Sequence, residues 1–167
     1  PVSAAQLDAD GQLCFYLWSG FAAPTEERDA SLSVDGYVYS PAANTWTPLP
    51  EVMDEVGEKV SLSGGVATAW DKNLIICMGG VDKDIFLRAL QKPAADYLTH
   101  PVEWYRFNKR VLVYDVRLRE WQTIACIPDV ARAGAALVVC GENIFCINGE
   151  LKPGVRTPEI TCITIKK

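Results

Sequence analysis

At 167 residues, 49% hydrophobic and 22% charged, the chain has the composition of an ordinary folded domain. No apolar run approaches the ~18 residues of a membrane-spanning helix. A formal net charge of −5 with no basic stripe argues against a nucleic-acid partner. A single histidine, His100, excludes any site that needs two from this chain. The cysteines Cys14, Cys77, Cys126, Cys140, Cys146 and Cys162 show no CxxC and no zinc-finger spacing, so no metal site is expected. They lie in apolar runs, where free Cys acts as a small buried hydrophobe. The alternative is a disulfide framework, with Cys140 and Cys146 flanking a tight Gly141-Glu142-Asn143 turn as the pair most able to face one another.

In chain order the pattern is strand after strand, with period-two alternation punctuated by Asp-Gly, Gly-Glu-Asn, Asp-Lys-Asn and Pro. Candidate strands fall near 2–7, 12–18, 34–40, 45–48, 64–70, 73–78, 110–116, 120–125, 133–139, 143–148 and 159–165. They repeat. Leu13 to Gly20, Leu74 to Gly80 and Ile144 to Gly149 are each an apolar strand ending at a glycine turn. Tyr39 to Trp46 and Tyr114 to Trp121 superimpose without a gap, each preceded by β-formers. Four strands, four strands and three strands result, the last unit (131–167) without an outer strand. The first two units span 1–50 and 60–128.

Glycine turn, Tyr, then Trp seven residues on resembles the kelch repeat of a β-propeller, an all-β fold of radial four-stranded blades. The glycines permit positive φ, and the aromatics fill the gap between blades. The first repeat departs from the pattern, with Trp18-Ser19-Gly20 where Gly-Gly is usual. Three blades cannot close a ring, so the remaining blades are expected from further polypeptide or from a second chain.

The second repeat carries an insertion over 81–109. Asp82 to Leu90 has Ile85/Ala89 and Phe86/Leu90 at helical spacing, and a second short helix is expected after Pro93, before an aromatic return through Trp104, Tyr105 and Phe107. A functional wall or lid and a surface elaboration packing on its own aromatics both fit such a loop. His100 and Arg28 read as solvated loop residues.

The most unusual local sequence is Asn148-Gly-Glu-Leu-Lys-Pro-Gly-Val-Arg-Thr157. Lys152-Pro153-Gly154-Val155 fits a type II turn, proline at its second position and glycine at its third. Folded back in this way, the loop brings Glu150 and Arg156 within side-chain reach. They could form a proton-transfer and anion-recognition pair, or a rim ion pair of little energetic weight.

This loop resembles that of the cyclically permuted mutarotases, the N-acetylneuraminate epimerase family, as do Gly79-Gly80-Val81 with Ile85-Phe86 and Phe107-Asn108-Lys109. The resemblance covers essentially the whole chain and implies a six-bladed propeller of which about half is present. It also implies interconversion of the α and β anomers of sialic acid, with no metal or organic cofactor, in the periplasm. Glu150 would be the acid/base and Arg156 the carboxylate-binding catalytic arginine, with Arg132, Lys152 and Asn148 as substrate-binding candidates. The alternative is a non-catalytic propeller binding a protein or an acidic sugar. A copper-radical oxidase, another kelch activity, is disfavoured because its copper needs two histidines.

Overall fold

The computed structural model describes residues 1–165. Strands β1 (Val2–Leu7), β2 (Leu13–Ala22), β3 (Ser31–Ser40) and β4 (Thr45–Leu49) form one antiparallel sheet in chain order. A second follows from β5 (Val66–Trp70), β6 (Leu74–Met78), β7 (Arg110–Asp115) and β8 (Glu120–Cys126). In the third, β10 (Asn143–Ile147) lies between β9 (Ala136–Cys140) and β13 (Ile160–Thr164). Between β10 and β13 a separate hairpin, β11 (Glu150–Lys152) and β12 (Val155–Arg156), forms where the sequence predicts only a loop. The first strand of each sheet packs beside the first strand of the next, β1 by β5 and β5 by β9. The sheets therefore radiate from a common line as the blades of a partial kelch-type propeller.

Burial explains the two kinds of apolar pattern. In β1 buried and exposed residues alternate strictly, as in a sheet with one covered face. Ile75-Ile76-Cys77-Met78 and Val111-Leu112-Val113-Tyr114 are buried residue after residue, because the second sheet is covered on both faces. Odd-numbered β6 residues face the first sheet with Trp18 and Tyr16, while Ile76 and Met78 face Val130, Ile144 and Cys146. Trp18 is the centre of the first interface, its ring centroid 4.8 Å from Tyr114 and 5.0 Å from Trp121. Such aromatic pairs add about 0.5–1.5 kcal/mol each beyond the area they bury.

The repeated Tyr–Trp pair has one geometry in both copies, with centroids 5.1 Å apart for Tyr114–Trp121 and for Tyr39–Trp46. Only the former pair has a neighbouring blade. Trp46 is 52% exposed on the open face of the first sheet, beside Phe15. Val138 and Ile160 are exposed on the open face of the third.

The departure at Trp18-Ser19-Gly20 keeps the left-handed residue but not the expected strand end, since β2 runs on through a register shift between Trp18 and Gly20 to Ala22. Ser19 has φ 58°, close to Gly79 (69°) and Asn148 (57°) at the matching places in the other repeats. Ser19 Oγ also accepts from the Leu62 amide at 2.8 Å, which offsets part of the cost of left-handed backbone. The cysteine alternative is corrected. All six thiols are free, but only Cys14, Cys77 and Cys146 are buried as expected, while Cys126, Cys140 and Cys162 are exposed. Register pairs Cys140 with Asn143 and Cys146 with Leu137, placing those two thiols on opposite faces.

Within the insertion, helix α1 (Lys83–Gln91) begins where Asp82 Oδ1 accepts from the Ile85 amide at 2.9 Å. Phe86 lies edge-on to Phe21 of β2, 5.7 Å between centroids. The second helix expected after Pro93 does not form. Residues 95–99 make turns, and a 3₁₀ helix follows at Val102–Tyr105. Pro101, which has no amide to donate, closes the stretch after Pro93 and leaves too short a run for an α-helix. Because strand direction alternates, the connections between second and third strands and those between successive sheets emerge at one end. This insertion, the β11–β12 hairpin and the sheet linkers therefore share one rim.

Candidate functional site

The site is built from backbone outward. After Asn148, Gly149 turns the chain at φ 113°, where a Cβ would stand 3.0 Å from Arg132 Cβ and 3.2 Å from the Ala133 carbonyl oxygen. Glu150 and Ala133 then exchange two backbone hydrogen bonds, Ala133 N to Glu150 O at 2.9 Å and Glu150 N to Ala133 O at 2.7 Å. Ala133 shortly precedes β9, the innermost strand of its sheet, so Glu150 sits at the axial end of the blade. Gly154 has φ 78°, as the third position of a type II turn requires. Across that turn Glu150 and Arg156 are register partners, as are Lys152 and Val155, with a bulge at Leu151.

Glu150 and Arg156 line one concavity of about 700 Å³ with Asn148, Gly134, Thr157 and Pro158. The two side chains are not in ion-pair contact. Glu150 is half-buried and its Oε1 accepts from the Gly154 amide at 3.3 Å, while Arg156 is exposed. A carboxylate and a free guanidinium thus border one open space that could receive an anionic ligand. Asn148 is exposed at the same rim, its carbonyl held from behind.

Two expected substrate ligands are used elsewhere. Arg132 is 1% exposed and absent from this concavity. Its guanidinium donates to the carbonyls of Asn148 (3.1 Å) and Glu159 (2.8 Å) and to Thr161 Oγ1 (2.8 Å), with Glu159 Oε2 at 3.7 Å. Those acceptors flank the hairpin on both sides, so Arg132 clasps its root, and it borders a neighbouring cavity with Leu151 and Glu159. Lys152 Nζ donates to the carbonyls of Leu98 (3.2 Å) and His100 (2.6 Å) rather than facing the concavity. His100 is not simply solvated, since its ring stacks on Trp104 at 3.9 Å. The insertion's part in holding the hairpin is not legible from sequence, because backbone carbonyls carry no residue signature. Among the described residues no group of three or more His, Cys, Asp or Glu gathers as metal ligands would.

Radial antiparallel sheets, a left-handed residue at the matching place of each repeat and an acid–arginine hairpin at one rim define a partial kelch-type propeller with a candidate site for an anionic ligand. The model of the N-acetylneuraminate epimerase family matches residues 1–167, and the chain belongs to that family. Among similar curated proteins, the N-acetylneuraminate epimerase of Salmonella paratyphi B is 30% identical, over 87% of this chain and 40% of its own length. That of Brucella melitensis is 28% identical over 98% of this chain and 45% of its own. The solved structure of YjhT matches 97% of this chain and 48% of its own, with a TM-score of 0.77 at 24% identity, a likeness of fold. The chain thus spans less than half the length of these relatives.

Proposed function

We propose that this chain carries the acid/base centre of a mutarotase that interconverts the α and β anomers of N-acetylneuraminate. The observation that supports it best is Glu150 opposite Arg156 at the axial rim of a chain matching the epimerase family from end to end. The reaction is redox-neutral and asks only proton transfer of the protein. The anomeric hydroxyl gives up its proton as the ring oxygen gains one, and the bond between anomeric carbon and ring oxygen breaks to leave an open-chain keto acid. Rotation about the adjoining C–C bond and reclosure on the other carbonyl face deliver the other anomer.

A single carboxyl group serves as base in opening and as acid in return, which suits Glu150. Arg156 offers paired N–H donors to the sugar's carboxylate. Asn148 supplies an amide to neighbouring hydroxyls. Because the chain carries net charge −5, capture of an anion depends on this local guanidinium rather than on long-range attraction.

Further blades are part of the proposal. The apolar face with Phe15 and Trp46 and the one with Val138 and Ile160 stand open at the two ends of the arc, and the relatives are more than twice as long. Additional polypeptide in the same protein closes the ring and completes the pocket wall. A sedimentation measurement on this chain alone, showing a closed dimer, would instead assign closure to a second copy. The periplasm is the compartment that family membership suggests, and fractionation of the native host checks it.

The deciding experiment is anomer-exchange NMR on the full-length gene product with N-acetylneuraminate. Exchange well above the spontaneous rate supports the mutarotase. Saturable binding without exchange would make the propeller a sialic acid binder instead.

A further inference from the structure

The hairpin bearing Glu150 and Arg156 is weak by its own construction. It has few paired residues, a bulge at Leu151 and a type II turn, whose twist suits a two-residue hairpin less well than the primed types. Its root is held by the Ala133 bridge and by Arg132. Its tip is held from a different blade.

Lys152 reaches into the insertion of the second blade. Its ammonium donates to the carbonyls of Leu98 and His100 and stands 5.8 Å from the Tyr105 ring centroid. The receiving segment is firm in its own right. Arg106 and Asp82 close its base at 3.0 Å, and Tyr105 is buried with its hydroxyl donating to the Tyr97 carbonyl. His100 stacks on Trp104, and Tyr97 lies edge-on to both Trp104 and Tyr105. A long flexible side chain gives up rotamer freedom to be held this way, and two charge-assisted hydrogen bonds repay it.

We propose that Lys152 is a positioning residue: by docking on the insertion it fixes the tip of the hairpin that sets Glu150 against Arg156, and it makes the second blade's insertion a buttress of the active site. The clamp itself stands on geometry alone, whereas its catalytic consequence rests on the mutarotase reading above.

The test compares full-length wild type, Lys152→Met and Lys152→Arg by hydrogen-exchange mass spectrometry and by anomer-exchange kinetics. In Lys152→Met, amides of 150–156 and of 97–105 should exchange at least about tenfold faster together, while sheet amides keep their protection. The kcat should fall by up to about 10²-fold, as expected for misplaced reacting groups, with KM within about threefold. Lys152→Arg should restore most of both, since a guanidinium can still donate to two carbonyls. Lys152→Gln replaces the Met variant if that one does not fold.

Unchanged protection in both segments, or faster exchange in the hairpin alone, overturns the clamp. A raised KM at unchanged kcat overturns the positioning role in favour of direct substrate contact. If wild type shows no anomer exchange, the mutarotase reading fails while the hydrogen-exchange comparison still decides the clamp.

Discussion

Glu150 and Arg156 are register partners across the Pro153–Gly154 turn, yet their side chains do not pair, and the Glu150 carboxylate takes its hydrogen bond from the Gly154 amide. An acid and a base joined to one another would be spent; held apart over a shared concavity, both remain free for a ligand. Glu150→Gln keeps the shape and removes proton transfer. Anomer exchange in that variant is expected to fall by about 10²–10⁴-fold with sialic acid affinity largely retained, as NMR exchange and calorimetry would measure. Retained exchange would remove Glu150 from the mechanism.

Arg156 is predicted to act through its planar fork. Arg156→Lys keeps the charge but loses the paired N–H geometry, so KM should rise about tenfold, roughly the loss of one charge-assisted hydrogen bond. Arg156→Met should raise it further. Steady-state kinetics on both variants checks this, and equal KM values for Lys and Arg would mean that only charge is read.

Arg132 belongs to stability. Its removal takes the guanidinium from the Asn148 carbonyl and the Thr161 hydroxyl and leaves the Glu159 carbonyl with the Asn148 amide alone. Arg132→Met is expected to cost about 1–3 kcal/mol in urea unfolding. The ion pair with Glu159 contributes little, because that carboxylate is 73% exposed. Glu159→Gln should therefore unfold at nearly the wild-type urea concentration.

These residues mark how far the sequence could be read. Period-two alternation, glycine turns and the spaced Tyr–Trp pairs are local signals, and each placed a strand or an inter-blade aromatic. The unbroken runs at 75–78 and 111–114 record a sheet covered on both faces. The Pro-Gly turn was legible because proline and glycine restrict φ by themselves. Arg132 and Lys152 were not, since an arginine inside a clasp and one lining a pocket look alike until the acceptors around them are known. The helix after Pro93 failed because Pro101 cuts the run too short.

Gly79 separates steric from conformational demand. A Cβ there would meet the Arg132 carbonyl oxygen at 2.2 Å with φ at 69°, whereas Gly134 has φ 65° and open space around it. Gly134→Ala should cost only the left-handed penalty, about 1–2 kcal/mol. Gly79→Ala should cost clearly more, because the second and third blades must part at the backbone behind the site, where Gly80 N donates to Arg132 O. Thermal or urea unfolding of the two variants measures the difference, and equal costs would mean that the linker yields without effort.

Glu55 gives the pH dependence. The hydrogen bond from Arg110 Nε at 2.9 Å, aided by backbone and by the Thr123 hydroxyl, pulls its carboxyl from 4.5 down to about 2. Arg110 also meets Asp54 at 3.0 Å, so the cluster ties the linker between the first two blades to β7 and β8. A carboxyl depressed in the folded state favours folding above its unfolded pKa, and that contribution disappears as pH falls toward the folded value. The urea midpoint of wild type should therefore drop between about pH 5 and pH 2 more steeply than that of Glu55→Gln. Because the group is solvent-exposed, the difference should be small and should shrink as salt is raised. Parallel slopes for the two proteins at low salt would show that the Arg110–Glu55 contact does not form in solution.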